Sequence, residues 1–448
     1  MGDDVKLGAS DDMQLSDKRK CGYDILNFVF SIATLKMAPS IAEAITSAAD
    51  QIHEKVVPQK PIAEGQHKES SDTATQEKHR EPLKLSGALD QFESFDVTPI
   101  IGREFVDVNL ADWIKAPNSD ELLRDLAITS LSPIPHRRIK VLISIAVSQR
   151  GVVFFRKQDD ITNDIQKELV QRLGELSGKP STSKLHIHPI SNSGREHGDK
   201  DDEISVISSA QARKIYKGDF PSLSDQITNR QSGKEGWHSD ITFEPIPSDY
   251  ALLRLTQLPK TGGDTLWASG YEVYDRISKP VQKFLEGLTA TYAQPKFNQT
   301  AEKNGFKLYT EERGAPENRG EKLEAVHPVV RTNPVTGWKS IFALGHHVSH
   351  INDISALESS ALLKFFLRLV VDNQDLQVRH RWQNVNDLAI WDNRSNYHVA
   401  TPDYLDSPSL GERSGQRAVS LGEKPYFDPL STGRREALGL GPGGSFET

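Results

Sequence analysis

The sequence predicts a mainly β fold, a sandwich or jelly-roll barrel with helices packed on its outside. Two observations carry that prediction. Many short apolar, β-branched runs are separated by turn signals, and only a few stretches show helical spacing. No internal repeat is present, which leaves a single continuous pattern. Taken in order, Val106–Leu110 and Gly151–Phe155 (GVVFF) read as strands with polar flanks. Asp120–Thr129 reads as a helix with Ser119 as its N-cap. Asp164–Ser177 carries apolar residues at helical spacing and stops at Gly178-Lys179-Pro180. Ala251–Gln257, Asp264–Trp267, Lys339–Leu344, Gln377–Trp382 and Leu388–Trp391 are further strands, and Glu358–Asn373 is a second amphipathic helix.

Composition narrows the function classes. The chain has 448 residues, enough to bury a large core without covalent staples. A single cysteine, Cys21, excludes a disulfide framework and any Cys-rich metal site. No apolar run approaches the roughly 18 residues that a membrane helix needs. With 54 Lys+Arg against 62 Asp+Glu, the balance is that of a protein without nucleic-acid partners. A cytoplasmic, water-soluble protein acting on a small molecule is expected, and a homo-oligomer is compatible with everything above.

The ends differ from the middle. Residues 1–90 read as a poorly ordered extension, because 51–86 are rich in Lys, Glu, His, Gln, Ser and Pro and poor in large apolar residues. Asp24 and Asn27 interrupt the apolar run Ile25–Leu35 and its approach, so a signal peptide is not expected. Met37, which opens MAPSIAEAITSAADQIHEK, reads as a usable initiator. Residues 91–430 form the globular unit, and the Gly-rich 431–448 form a flexible tail. Within the unit, 130–146 stand out: Pro133 and Pro135 forbid a continued helix, and VLISIA has no evident place in a sheet. That stretch reads more readily as a translated intron than as a functional loop.

The sharpest local feature is Gly236-Trp237-His238-Ser239-Asp240. On an extended segment, residues two apart face the same side, so His238 and Asp240 can take adjacent positions on one divalent ion. Spacing alone is weak, since His67, His79 and His197 also have an acid two residues later. Those three lie in polar stretches and read as solvated; only His238 sits in apolar, turn-rich sequence. A second half supplies a distal histidine, His398, behind the strand that ends in Trp391. Two histidines and a carboxylate make a facial triad suited to Fe(II), with the opposite face open. Trp391 reads equally as packing near the metal pocket or as core filling. Arg413 and Arg417 follow, each a planar fork suited to capturing an anion, or else a surface ion pair.

His238-Ser-Asp240, then Leu258-Pro-Lys-Thr-Gly262-Gly263-Asp264-Thr265-Leu266-Trp267, then Trp391-Asp-Asn-Arg394 with His398, then Arg413 and Arg417, resemble the taurine/2,4-D dioxygenase (TauD/TfdA) family. Leu185-His-Ile-His188-Pro189, His327-Pro-Val-Val-Arg331 and Gln377-Val-Arg-His-Arg-Trp382 extend the resemblance over roughly 97–429. It implies a double-stranded β-helix core and a dioxygenase that uses Fe(II), 2-oxoglutarate and O₂. It also implies iron on His238, Asp240 and His398, the distal carboxylate of 2-oxoglutarate on Thr265 and Arg413, and an acidic substrate on His188 and Arg417. Hydroxylation of an alkylsulfonate with release of sulfite is the expected reaction. Hydroxylation of another acidic metabolite or of a biosynthetic intermediate is the alternative. Ser191 and Lys234 fall where taurine-type members carry Tyr and Asn, and four extra residues separate His398 from the arginine pair.

Overall fold

Strands that are apolar at every position bury both faces, and here the two faces meet different neighbours. In the computed structural model, which describes residues 80–128, 147–190, 201–215, 236–405 and 407–441, the central strand β5 is Ser248–Gln257. It lies in a seven-stranded sheet with β1 (Ser94–Asp96), β2 (Arg103–Phe105), β3 (Val152–Phe155), β4 (Ile204–Ser208), β13 (Leu388–Asp392) and β15 (Ser414–Leu421). The order across that sheet is β1-β2-β3-β13-β5-β15-β4. All pairings are antiparallel except β2 with β3. A three-stranded sheet, β12-β6-β14, combines Gln377–His380, Thr265–Ser269 and Asn396–Ala400.

The interior lies between these two sheets. Val152 and Phe154 from β3, Leu253 and Leu255 from β5, and Trp391 from β13 meet Trp267 from β6 and Val378 from β12 in one buried cluster. The alternate residues Val153, Phe155, Leu252 and Ile390 point outward and are covered by Trp113, Leu122, Leu126, Leu169 and Leu173 of three helices. Period-two alternation thus serves both a jelly-roll core and a helical outer layer. The remaining described strands, β7 (Thr289–Ala293), β8 (Glu324–Pro328), β9 (Val330–Thr332), β10 (Lys339–Ile341) and β11 (Val348–Ile351), form two small sheets packed with the helix Ala356–Val371.

Several element boundaries differ from the sequence reading. The strand expected at 106–110 is instead β2 at 103–105, because Asp107 turns the chain with φ +50° and the Asn109 side chain caps a helix beginning at Leu110. The helix expected at 120–129 runs Ser119–Ala127; the capping position falls on Asn118, and Ser119 is buried in the first turn. The second amphipathic helix starts earlier, at Ala356, behind a Ser355/Glu358 capping box. Gly178, at φ +88°, ends the helix Asn163–Ser177 as expected. Part of the stretch read as a flexible tail is packed: Arg434, in the helical turn Arg434–Ala437, reaches buried Glu272 at 2.6 Å. Ahead of residue 91, Ser86, Gly87 and Ala88 donate to the Asp125 carboxylate. The expectations placed on residues 1–79, on 130–146, on Ser191 and Lys234, and on 442–448 lie outside the described residues. No described helix is long and apolar enough to cross a membrane.

Candidate metal centre

The two halves of the site are joined by backbone. His238 and His398 form an isolated antiparallel bridge, with N–H···O distances of 3.1 and 2.8 Å in the two directions. Such a directly opposed pair places side chains on one face of the sheet. The imidazole centroids are 4.3 Å apart. Asp240, two residues after His238, returns to the same face, and one potential ligand atom from each residue lies within 4.8 Å of the others. Period-two spacing pairs His238 with Asp240, and the resemblance implies His398, 160 residues after His238, as their partner; the three stand together here.

The chemistry of the atoms matches a metal-binding role. His238 Nδ1 is 2.8 Å from the Gly236 carbonyl and donates to it, which leaves the Nε2 lone pair facing inward. His238 Nε2 lies 3.8 Å from Asp240 Oδ1, and His398 Nε2 lies 3.8 Å from Asp240 Oδ2. Asp240 Oδ2 is buried without a hydrogen-bond partner. A buried carboxylate with one orphaned oxygen, standing beside two imidazole nitrogens, is an arrangement that a cation completes. Burial pushes both imidazoles down to about 4, so each is neutral and able to ligate near neutral pH. Burial, the largest single influence, would raise the Asp240 carboxyl, but the Arg417 guanidinium and the imidazoles of His398, His238 and His347 together outweigh it and hold the acid well below its ordinary range.

The surrounding side chains explain the aim of the ligands. Arg417 Nη1 donates to Asp240 Oδ1 at 2.6 Å, leaving Oδ2, the oxygen 3.8 Å from His398 Nε2, without a hydrogen bond. Asn393, inside the Trp391-Asp-Asn-Arg394 motif, accepts the Asp240 backbone N–H at 3.1 Å and the Trp391 indole N–H at 2.9 Å on the same oxygen. Its amide nitrogen donates to Ser248 Oγ at 2.9 Å. The flanking Asp392 and Arg394 form a buried ion pair at 2.8 Å. Trp391 is both things the sequence allowed: its ring is 5.0 Å from that of His398 and 5.8 Å from Trp267 in the core.

Thr265 and Arg413 also come together. Arg413 donates from Nη2 to Thr265 Oγ1 at 3.1 Å and from Nε to the Gly263 carbonyl at 2.9 Å. Trp382 Nε1 donates to the same Thr265 oxygen at 3.1 Å. With two donors on its oxygen, the threonine hydroxyl is left to donate, and the guanidinium keeps further N–H groups. This pair does not line the cavity onto which His238 and Asp240 open. That cavity, about 280 Å³, is bounded by His238, Asp240, His188, Arg417, Phe243 and Phe297, among others. His188 accepts the Ile190 N–H on Nδ1 at 3.1 Å.

Three features of the site escape the sequence reading. His346 and His347 line the cavity beside His238, with ring centroids 4.6 and 5.9 Å away. The doublet in Leu344-Gly-His-His-Val348 was visible, but it has no acidic partner at ligand spacing. Asn393 gave no signal of its own, because its role lies in a bond to a backbone 153 residues away. Ile241 adopts φ +62°, a conformation that sequence cannot announce for a β-branched residue.

A family model described as "Taurine catabolism dioxygenase TauD, TfdA family" matches residues 135–419. The chain is 51% identical over 365 residues to an alpha-ketoglutarate-dependent dioxygenase of Neocamarosporium betae, covering 80% of this chain and 98% of that protein. It is 31% identical over 286 residues to an alpha-ketoglutarate-dependent sulfonate dioxygenase of Saccharomyces cerevisiae, covering 64% and 61%. A taurine dioxygenase from Burkholderia xenovorans shares the fold, with a TM-score of 0.52 at 23% identity over 77% of this chain and 92% of that one. A family match across well over half the sequence and a half-identical relative spanned almost end to end agree with the jelly-roll core and its His-Asp-His cluster, and the chain belongs to the TauD/TfdA family of alpha-ketoglutarate-dependent dioxygenases.

Proposed function

We propose that this dioxygenase hydroxylates a small acidic molecule, with an alkylsulfonate as the first candidate and sulfite as the released product. The observation that carries the reading is the cavity in which His188 and Arg417 stand beside His238 and Asp240. An imidazole and a guanidinium are donors matched to a sulfonate or carboxylate. The alkylsulfonate is put first because a sulfonate-acting relative shares these 286 aligned residues at 31% identity.

His238, Asp240 and His398 would hold Fe(II), and the partnerless Asp240 Oδ2 supports that fit. The ion would supply O₂ activation coupled to decarboxylation of 2-oxoglutarate to succinate. The rest is the protein's own work. Arg413 and Thr265 would bind the distal carboxylate of 2-oxoglutarate through the remaining guanidinium N–H groups and the threonine hydroxyl. Asn393 holds the Asp240 backbone N–H while Arg417 holds its carboxylate, so the residue is fixed at both ends. Phe243, Phe297 and Ile241 keep water from the reacting C–H bond.

One specific contact favours the alternative, a different acidic metabolite. Arg417 already gives one N–H to Asp240 Oδ1, so less of its fork remains for a sulfonate. A panel of alkylsulfonates, sulfate esters and carboxylic acids, scored for succinate with sulfite measured alongside, separates the two. Sulfite in step with succinate supports the first reading; succinate without sulfite from a carboxylic acid supports the second. His238→Ala should abolish succinate formation with the fold retained, and wild-type turnover in that variant would overturn the metal assignment.

A further inference from the structure

The catalytic cavity is not the largest hollow near the metal ligands. Directly beyond His346 lies a groove of about 670 Å³ between the segment 344–350 and the helix Ala356–Val371. His346 lines both spaces, so it is the wall common to them. The floor of the groove is Leu344, Val348, Leu363 and Leu367, all apolar, and the two leucines from the helix are only partly buried. The exposed Lys296 and Lys364 also line it. Their ammonium groups draw anions, while their stems extend the apolar wall.

Volume decides what this means. Sites for drug-sized ligands occupy roughly 300–1,000 Å³. The cavity of about 280 Å³ falls below that range and must also admit part of 2-oxoglutarate. It has room for an acidic head and little more. The groove has more than twice the volume, and water covering that much apolar surface is unfavourable.

We propose that the groove is the second half of the substrate site, and that the substrate is an amphiphilic anion. Its acidic head lies against His188 and Arg417, and its apolar body passes His346 to rest on Leu363 and Leu367. The proposal rests on the acidic-substrate reading above and adds the size and character of the remainder of the molecule. It commits the groove to substrate rather than to a second copy of the chain, because the groove and the cavity border the same side chain, His346, and the groove carries cations at its edge.

The test is a chain-length series of alkylsulfonates and alkylcarboxylates, from about two to twelve carbons. Binding is measured by calorimetry on the Mn(II)-loaded full chain with 2-oxoglutarate, without oxygen, and turnover is followed in parallel as succinate. Each methylene that enters the groove should tighten binding about fourfold until the groove is filled. Leu363→Glu and Ser360→Trp, the latter a steric plug at a half-buried lining position, should each flatten that slope. Thermal melting checks that both variants fold, and the plug serves if the charged variant does not. Short acids bound and turned over with a flat series would overturn the groove proposal alone. A flat series in a chain whose solution mass is that of a dimer would assign the groove to a second copy. No binding or turnover with any acid would instead overturn the reading on which the proposal rests.

Discussion

Asn393→Ala tests whether the proposed metal ligands are held from outside the coordination set. The asparagine is almost fully buried and makes three hydrogen bonds, to the Asp240 N–H, the Trp391 indole and the Ser248 hydroxyl. Truncation leaves the first two donors buried and unpaired, at about 1–3 kcal/mol each, so a loss of about 2–6 kcal/mol in stability is expected. Lost stability alone would not distinguish positioning from packing. Ser248→Ala provides the control, because it removes only the partner of the Asn393 amide nitrogen and leaves the Asp240 contact intact. Metal affinity, read by Mn(II) calorimetry on folded protein, should fall about 10–100-fold in Asn393→Ala. In Ser248→Ala it should stay within experimental error despite a stability loss of about 1–3 kcal/mol. Wild-type metal affinity in Asn393→Ala, or an equal loss in both variants, would refute the reasoning.

Two further outcomes follow from the same geometry. Arg413→Ala should mainly raise the KM for 2-oxoglutarate, whereas Arg417→Ala should weaken the acidic substrate and uncouple decarboxylation from hydroxylation; kinetics showing the two signatures exchanged would reverse the assignment. Burial pushes His380, stacked 3.9 Å from Phe154, down to about 3, and the unfolded chain therefore takes up that proton first as pH falls. Its contribution to stability is intact above about pH 6.5 and is lost toward pH 3, at no more than about 1.4 kcal/mol per pH unit. His380→Phe should shallow the acid limb of a denaturation-against-pH curve, and an unchanged limb would count against it.

What the sequence disclosed and what it withheld divide along a physical line. His238 and Asp240 were legible because period-two geometry acts over three residues, and no distant contact is needed to put their side chains on one face. Strands such as β3 and β13 were legible because burial on both faces demands apolar runs. Arg417 was found, but its contact with Asp240 was not, because that bond depends on how β15 lies beside β5. The shift of β2 to 103–105 was hidden for a related reason. Val106 and Leu110 are apolar and suit a strand by composition, yet a single positive φ at Asp107 and the Asn109 cap redirect the chain. Composition reports which residues prefer burial; caps and left-handed turns decide where an element ends.

Ile241 sets those two influences against each other at the site itself. At φ +62° a β-branched residue stands in the left-handed region, costing about 1–2 kcal/mol, directly after the proposed ligand Asp240. The next turn is tied down on every side. The Glu244 N–H donates to the Ile241 carbonyl at 3.1 Å, the buried Arg313 pairs with the Glu244 carboxylate, and His327 Nε2 reaches the Thr242 and Glu244 carbonyls at 3.0 and 3.1 Å. Surroundings that over-determine a turn can sustain such strain, and strain of this kind gathers at functional sites. The isoleucine is nonetheless 98% buried and walls the cavity, so its side chain gives back in packing what its backbone loses. The two effects separate by substitution. At an ordinary position glycine is less stable than alanine by about 0.5–1 kcal/mol. At Ile241 both replacements lose the packing, but only glycine also releases the strain, so Ile241→Gly should be the more stable of the two by up to about 1 kcal/mol. Denaturant titration of the pair measures that order directly. Alanine above glycine would mean that the turn after Asp240 carries no strain, and that its left-handed geometry plays no part in aiming the carboxylate.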